Sequence, residues 1–565
     1  MSKPYAKHFN QTKTPQSEPM STDQIKNSAG GFVWKADEWT RLDRFLVLGT
    51  EGNTYYATEK SITRENANHV ISLIKKDGVR VVNRITEISD AGRAYKNDAA
   101  LFALALAFGE GNAETRTAAI TALPKIARTG THLFTFVEFI TASGVRGWGR
   151  GLRRAVASWY TEKSQKDLAY QVTKYQQRNG WSHSDMLWLS HAKAGNNPVI
   201  RRVLNRDGGT REVCRYTKPV NGERDVISKH KYAEAGPVPE YMDAAEEMKT
   251  ADAKRSHNLI LKYDLPREVV RTELLNDPRI WEALLIKMPP TALIRNLATM
   301  TRVGVLKPLS KWNNIVCERL TDKALLNKKR IHPLQILAAL LTYKSGKGDR
   351  GNNTWNPVQQ IVDALDQAFY LTFDTAEPTG KRLVLAIDVS GSMDGGVVGG
   401  VSGLTPRIAS AVLALVTASV EKNYTIVGFS AGSGGGFGGQ WGGGDPGLSN
   451  IPISPRQRLD SVVKVMQGIP MGGTDCSLPM RWAEKKELEV DGFVILTDNE
   501  TWAGPVHAAQ ALKNYRKASG IPAKLVVVSM IPNEFSLADP NDIGMLDCVG
   551  MSTDTPVVIS DFIRN

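Results

Sequence analysis

Leu383-Val384-Leu385-Ala386-Ile387-Asp388-Val389-Ser390-Gly391-Ser392-Met393-Asp394 decides how the C-terminal part of this 565-residue chain folds. Five consecutive apolar residues break abruptly into Asp388, Ser390 and Ser392, with Gly391 allowing a tight turn. A continuous apolar run of this length reads as a strand covered on both faces, and the polar residues after it as a loop of hard oxygens. Alternate residues in a tight loop point the same way. One carboxylate and two hydroxyls can therefore converge on one point, as Mg²⁺, Mn²⁺ or Ca²⁺ requires. Two further stretches supply oxygen at strand ends: Gly472-Gly473-Thr474-Asp475, which is expected to open a helix, and Phe493-Val494-Ile495-Leu496-Thr497-Asp498, a second apolar strand ending in an acid.

Other chemistries fit these residues less well. A nucleophilic serine is expected in a G-x-S-x-G elbow, whereas Ser390 follows Asp388 by two residues. The glycines after Met393 match neither a Walker loop nor a dinucleotide fingerprint. An isolated acid after a strand is often only a cap or turn residue, so the ordered trio carries the signal rather than Asp388 alone. Around it, strands and helices alternate: helix 407–421, strand 424–429, helix 475–486, strand 493–496, helix 506–518 and strand 524–529. That is the pattern of a doubly wound α/β sheet, whose ligands bind at the strands' carboxyl ends.

Upstream, from about Trp34 to 370, the periodicity is helical. Residues 99–108, 115–126, 133–140, 277–287 and 333–343 carry apolar residues at three- and four-residue spacing. Breakers cut the region into short helices, which predicts an irregular helical-repeat array of the HEAT or armadillo kind. The fold class expected is thus mostly α, a helical-repeat domain followed by an α/β doubly wound domain. The boundaries are a flexible polar arm over 1–28, a helical domain over 29–370 and an α/β domain over 371–565. The length alone calls for more than one core.

The net charge of +13 favours a polyanionic partner. It is concentrated at 146–193, where Arg146, Arg150, Arg153, Arg154, Lys163, Lys166, Lys174, Arg178 and Lys193 face only Glu162, Asp167 and Asp185. In a helix beginning near Trp148, Leu152, Val156, Trp159 and Tyr160 share one side, and Arg150, Arg153 and Arg154 another. Lys174 and Arg178 are read as helical neighbours four residues apart, the helix stopping at Asn179-Gly180 in a C-cap. Ser182 to Asp185 has capping-box spacing and starts a further helix, with His191 and Lys193 in its last turn. Tyr160, Tyr175 and Trp181 lie nearby as stacking partners, Trp159 and Trp188 are assigned to the core, and His183 and His191 rank below the cations. The bland alternative is a solvated face complementing helix C-termini. Three adjacent helices with one sign of charge fit a phosphate-tracking surface better. The four cysteines form no C-x-x-C or Cys/His cluster, no signal-like apolar segment opens the chain, and no run of about 18 apolar residues occurs. A reducing, cytoplasmic setting and no membrane partner are expected.

The order DVSGS, GGT, LTD resembles the metal-ion-dependent adhesion site of von Willebrand factor A-type domains. That resemblance implies Asp388, Ser390, Ser392, Thr474 and Asp498 as ligands, direct or through water, of a divalent ion, with Mg²⁺ the expected one and an open position for a partner's carboxylate. The helical half resembles the TROVE module of the Ro autoantigen family in 41–56 (RLDRFLVLGTEGNTYY), 131–136 (THLFTF), 147–150 (GWGR), 172–183 (VTKYQQRNGWSH), 330–333 (RIHP) and 377–382 (EPTGKR). The likeness continues through 472–480 (GGTDCSLPM), 497–501 (TDNET) and 544–547 (GMLD).

The family implies a ring of helical repeats closed by a von Willebrand A-type domain, no catalysis, and a monomer that binds Y-type and misfolded non-coding RNAs. Single-stranded 3′ ends would enter the ring's hole while duplex lies on the outer basic surface. The family's outer-surface contacts fall on Lys174, Arg178 and His191; Arg150 and Arg154 are additions from charge placement. An RNA-degrading enzyme is a further partner that the resemblance implies for some bacteria. The competing reading is a metal-dependent protein-interaction module with the helical half as scaffold. Glycine-rich stretches at 395–403 and 431–448 flank the metal loops and put adhesion-type binding in question.

Overall fold

The computed structural model describes residues 11–49, 67–143, 147–204, 213–216, 226–230, 237–348, 352–373, 376–398, 401, 403–431, 447–455, 457–469 and 472–565. The chain divides into two compact units, one of residues 1–69, 91–99 and 313–565, the other of residues 70–90 and 100–312.

The first unit is built on a six-stranded sheet. Its order is Met545–Val549, Lys524–Ser529, Gly492–Thr497, Arg382–Asp388, Asn423–Phe429 and Leu448–Asn450; the first five are parallel and the last runs antiparallel at the edge. Leu383 to Ile387 and Phe493 to Leu496 are buried throughout, which is why these strands read as unbroken apolar runs rather than alternating ones. Ile387 pairs with Leu496, so the two central strands end side by side, about 5 Å apart. Asp388 and Asp498 emerge from those ends. Helices Pro406–Val420, Leu459–Gln467, Leu478–Lys485, Ala508–Ser519 and Thr555–Arg564 complete the α/β alternation. The helix expected over 475–486 begins only at Leu478, because Gly472, Gly473 and Asp475 are held as a loop.

The N-terminal segment departs from the mobile arm expected over 1–28; residues 1–10 lie outside the described residues. Gln24–Lys26 pairs with Phe32–Lys35, which in turn pairs with Phe535–Ser536. Gln16 N–H donates to Gly504 O (3.1 Å), and Val33 and Trp34 join the core beneath the sheet. The polar composition that suggested disorder serves here to satisfy neighbouring backbone. Helix Glu38–Leu48 also belongs to this unit: it buries Arg44, whose guanidinium donates to Asn533 and Phe535 O and pairs with Asp547. Helices Pro333–Ser345 and Gln359–Leu371 are likewise part of it, so the contacts divide the chain elsewhere than at the expected 370/371 boundary.

The second unit is helical, with the expected segments at Asp98–Glu110, Ala113–Ile126, Gly130–Ser143 and Pro278–Lys287, and with Arg150–Thr161, Gln165–Lys174 and His183–Ser190 carrying the basic stretch. Two small hairpins, Gln177–Arg178 with Trp181–Ser182 and Val213–Tyr216 with Val226–His230, were not anticipated. Among the described residues no helix is long and apolar enough to cross a membrane.

Candidate metal loops and cationic surface

The structure brings the three oxygen-bearing loops together. Gly391 N–H donates to Gly472 O (3.0 Å), and Ser390 bridges to Gly472 in parallel fashion, which docks the 472–474 loop on the first. Trp502 and Ala503 N–H groups donate to Thr474 O at 3.2 and 3.0 Å, tying that loop to the one after Asp498. Asp388, Ser390, Ser392, Thr474 and Asp498 are all buried. Asp388 accepts from Ser390 N–H (2.9 Å) and from the Thr497 hydroxyl (2.7 Å), and the Ser390 and Ser392 hydroxyl oxygens lie 3.0 Å apart. Asp498 accepts from Glu500 N–H through one oxygen (3.0 Å), while its Oδ2 is buried with no hydrogen-bond partner among the described residues.

The electrostatics of this arrangement call for a cation. Burial, and then the charge of Asp388, pushes the Asp498 carboxyl up to about 8; burial raises Asp388 as well, and the Arg407 charge offsets it only in part. Two carboxyls forced together out of water resist ionisation unless positive charge is supplied. The donors are all oxygen, which suits Mg²⁺, Mn²⁺ or Ca²⁺ and not a soft metal. Among the described residues there is no cluster of three or more His, Cys, Asp or Glu, so an ion here would depend on hydroxyls beside the carboxyls of Asp388 and Asp498. The residues present fit such an ion. Of the flanking glycine-rich stretches, 399–400, 402 and 432–446 lie outside the described residues.

The sequence reading missed what supports the Asp498 loop. Asn499 has a left-handed φ of 63°, and its side chain donates to Ser529 Oγ (3.1 Å). Asn27 donates through Nδ2 to Thr501 O (2.7 Å) and Asn499 O (3.3 Å), and Ala29 N–H donates to Glu500 (3.1 Å). Gly31 lies so close to Thr501 O that a Cβ would sit 2.1 Å from it. The run Asn27 to Gly31 is legible as a turn, but nothing local names its partner.

In the helical unit some cations are placed differently from the expectation. Helix Gln165–Lys174 ends at Lys174, and Arg178 stands on a hairpin strand. Asn179 and Gly180 have φ of 52° and 79°, so the Asn-Gly pair makes a two-residue hairpin turn instead of a helix C-cap. Lys174 is half-buried, its ammonium 3.0 Å from the Tyr170 hydroxyl and near the faces of Tyr170 and Tyr175. Burial acts to lower its pKa, but the Tyr170 bond and the surrounding groups leave it raised, so it stays charged. Arg150, Arg154 and Arg178 are exposed, and among the described residues none of them forms an ion pair. Arg146 lies outside the described residues.

The Ser182–Asp185 capping box forms as expected. His191 follows it as an exposed C-cap with φ 54°, one position beyond the helix, with Lys193 past it. His183 is buried, 2.7 Å from the Tyr160 hydroxyl and stacked near Trp159, so neither His183 nor Tyr160 is a surface group. Trp159 lies in the core as expected, whereas Trp188 is 64% exposed.

Comparisons with known proteins cover both units. The TROVE domain family model matches residues 25–341, and that of the Ro60 vWA domain matches residues 382–563. A Deinococcus radiodurans relative named RNA-binding protein RO60 is 38% identical over 561 residues, spanning 98% of each chain. A Caenorhabditis elegans relative of the same name is 34% identical over 606 residues, spanning 97% of this chain and 91% of that one. The crystal structure of the D. radiodurans RO (RSR) protein superposes with a TM-score of 0.67 at 37% identity, covering 94% of this chain and 99% of that one. The chain belongs to the Ro60 family, a TROVE domain joined to a von Willebrand A-type domain.

Proposed function

We propose that this chain binds structured non-coding RNA, of the Y type, on the cationic face formed by Arg150, Arg154, Lys174, Arg178 and His191. The observation that carries the reading is that Arg150, Arg154 and Arg178, exposed and in no ion pair among the described residues, fall within one short stretch with the charged Lys174 between them, a costly arrangement in a surface with no polyanion to meet. The relatives named as RNA-binding proteins support it. In the same reading, unpaired 3′ ends of misfolded RNAs enter the central hole of the ring that family membership implies. An RNA is then selected by topology rather than by base sequence. The protein acts in the cytoplasm as a monomer without catalysing a reaction, an RNA-degrading enzyme being a partner in RNA turnover. Charge reversal tests it. The Arg150→Glu, Arg178→Glu double variant should lose about a hundredfold in affinity for a structured small RNA, from roughly 1.5 kcal/mol per charged contact. Unchanged affinity would refute the assignment of this face.

The metal loops favour a second, compatible reading. We read Asp388, Ser390, Ser392, Thr474 and Asp498 as the holders of one divalent ion, Mg²⁺ in the cell. The unpartnered Asp498 Oδ2 supports it. Such an ion supplies a Lewis-acidic position for a carboxylate of a protein partner, with the helical half as scaffold. Labelled RNA incubated with Mg²⁺ should stay intact; metal-dependent cleavage would replace binding with hydrolysis as the function.

A further inference from the structure

The hairpin turn places an aromatic pair beside the cations, and the proposed contacts to RNA phosphates do not use it. Arg178 and Trp181 are cross-strand partners flanking the Asn179-Gly180 turn, and directly opposed residues of a hairpin share a face. The Trp181 ring lies 6.3 Å from that of Trp148 at 56°. Its orientation is fixed, because the indole N–H donates to Glu138 Oε2 (2.8 Å), which also commits that carboxylate. Trp148 sits two residues before Arg150, the exposed first residue of its helix. Among the described residues, a side chain added at Gly147, Gly149 or Gly180 would meet nothing within 4 Å, so none of them crowds the loops bearing the pair. Both indoles are only half-buried.

From this juxtaposition we propose that Trp148 and Trp181, flanked by Arg178 and Arg150, form a stacking subsite for an unpaired base at a bulge or junction of a bound RNA duplex. The subsite rests on the RNA-binding reading and sharpens it. Cations alone track phosphates and accept any helix. A fixed aromatic pair between two arginines instead rewards a base that has left its stack, whatever its identity, since every base has a π-face. The surface then senses imperfect pairing directly, without a free end.

The test uses the full chain and closed RNA dumbbells, which have no end to thread: one fully paired, one with a two-base bulge, and one with the same bulge made abasic. The native protein should bind the bulged dumbbell about tenfold tighter than the other two. Trp148→Ala and Trp181→Ala should abolish the preference, and Trp148→Phe and Trp181→Phe, which keep a ring, should retain most of it. Arg178→Glu should weaken the bulged and paired dumbbells alike. Thermal melting of each variant separates a lost subsite from a lost hairpin. A preference that survives both alanine variants, or an abasic bulge bound as well as a natural one, overturns the subsite and leaves phosphate binding standing. Failure of the native protein to bind any dumbbell overturns both.

Discussion

The carboxylates at the sheet's carboxyl edge are shut away from water and crowd one another, whereas Arg150, Arg154 and Arg178 of the helical half stand in solvent and form no ion pair among the described residues. The first region holds its carboxyls in a low-dielectric interior, where Asp388 is fixed by loop hydrogen bonds, Asp498 Oδ2 is left without one, and short-range coordination decides what binds. The second spreads its charge over an open surface, where long-range attraction decides. What separates the two is their response to solvent conditions. Salt should reach the surface and not the interior. If the helical face meets about six phosphates, RNA affinity falls on the order of 10³ between roughly 50 and 200 mM salt. Metal affinity over the same range should change by a small fraction of that. Filter binding and calorimetric titration would measure the two slopes, and equal slopes would dissolve the distinction.

Removing a ligand makes the converse cut. Asp388→Ala should lower Mn²⁺ or Mg²⁺ affinity by at least about a hundredfold, the upper end of what loss of a mere supporting group costs. RNA affinity in EDTA should remain within about twofold of native. A joint loss would show that the loops shape the RNA surface rather than serve a separate partner.

How much of each region could be read beforehand follows the same line. The places of Asp388, Ser390, Ser392 and Asp498 were legible because strands covered on both faces announce themselves as apolar runs, and their ends are then marked by the first polar residues; Thr474 follows helix Leu459–Gln467 and was singled out by its motif instead. Illegible were the residues that brace those loops from far along the chain. Asn27 reaches Thr501, and Arg44 reaches Asn533 and Asp547, and no spacing rule records a partner hundreds of positions away. In the helical half the cations were legible as composition, and so was the helix of Arg150 and Arg154, but the carrier of Arg178 was not. Asn179-Gly180 suits a helix end and a hairpin turn equally well by residue type. The pairing of Gln177 with Ser182 settles it. Helical periodicity shows which side of its helix Trp188 takes and not how much of it is covered, and among the described residues it is left 64% exposed.

The α/β unit avoids buried charge elsewhere by keeping a histidine neutral, and acid should expose this. His332 caps helix Pro333–Ser345: Leu334 N–H donates to its Nδ1 (3.1 Å), and its Nε2–H then donates to Arg93 O (3.0 Å). Burial lowers its pKa from 6.5 to about 4. The folded state therefore binds this proton less readily than the unfolded chain. The stability it contributes is whole above pH 6.5 and lost progressively toward pH 4, by roughly 3 kcal/mol over the window. His332→Asn keeps an oxygen acceptor at the cap and removes the titration. The melting temperature of the variant should fall less between pH 7 and 4.5 than that of the native protein, and parallel curves would assign the acid sensitivity to other groups.

The smallest effect concerns how loosely the exposed region is held. Gly180 adopts φ 79°, where an L side chain is strained, yet a Cβ there would touch nothing within 4 Å. Gly180→Ala thus incurs only the backbone cost, about 1 kcal/mol, with no clash to add to it. Because the hairpin has only two residue pairs, that cost falls on the turn that holds Arg178 opposite Trp181. RNA affinity should drop a few-fold while global melting moves by no more than a few degrees. The buried loops offer the contrast: Gly31→Ala drives a methyl into Thr501 O, behind the Asp498 loop, and should depress melting of the metal-free protein by more than Gly180→Ala does. A reversed order would mean that the exposed hairpin, not the buried loop, is the more tightly built of the two.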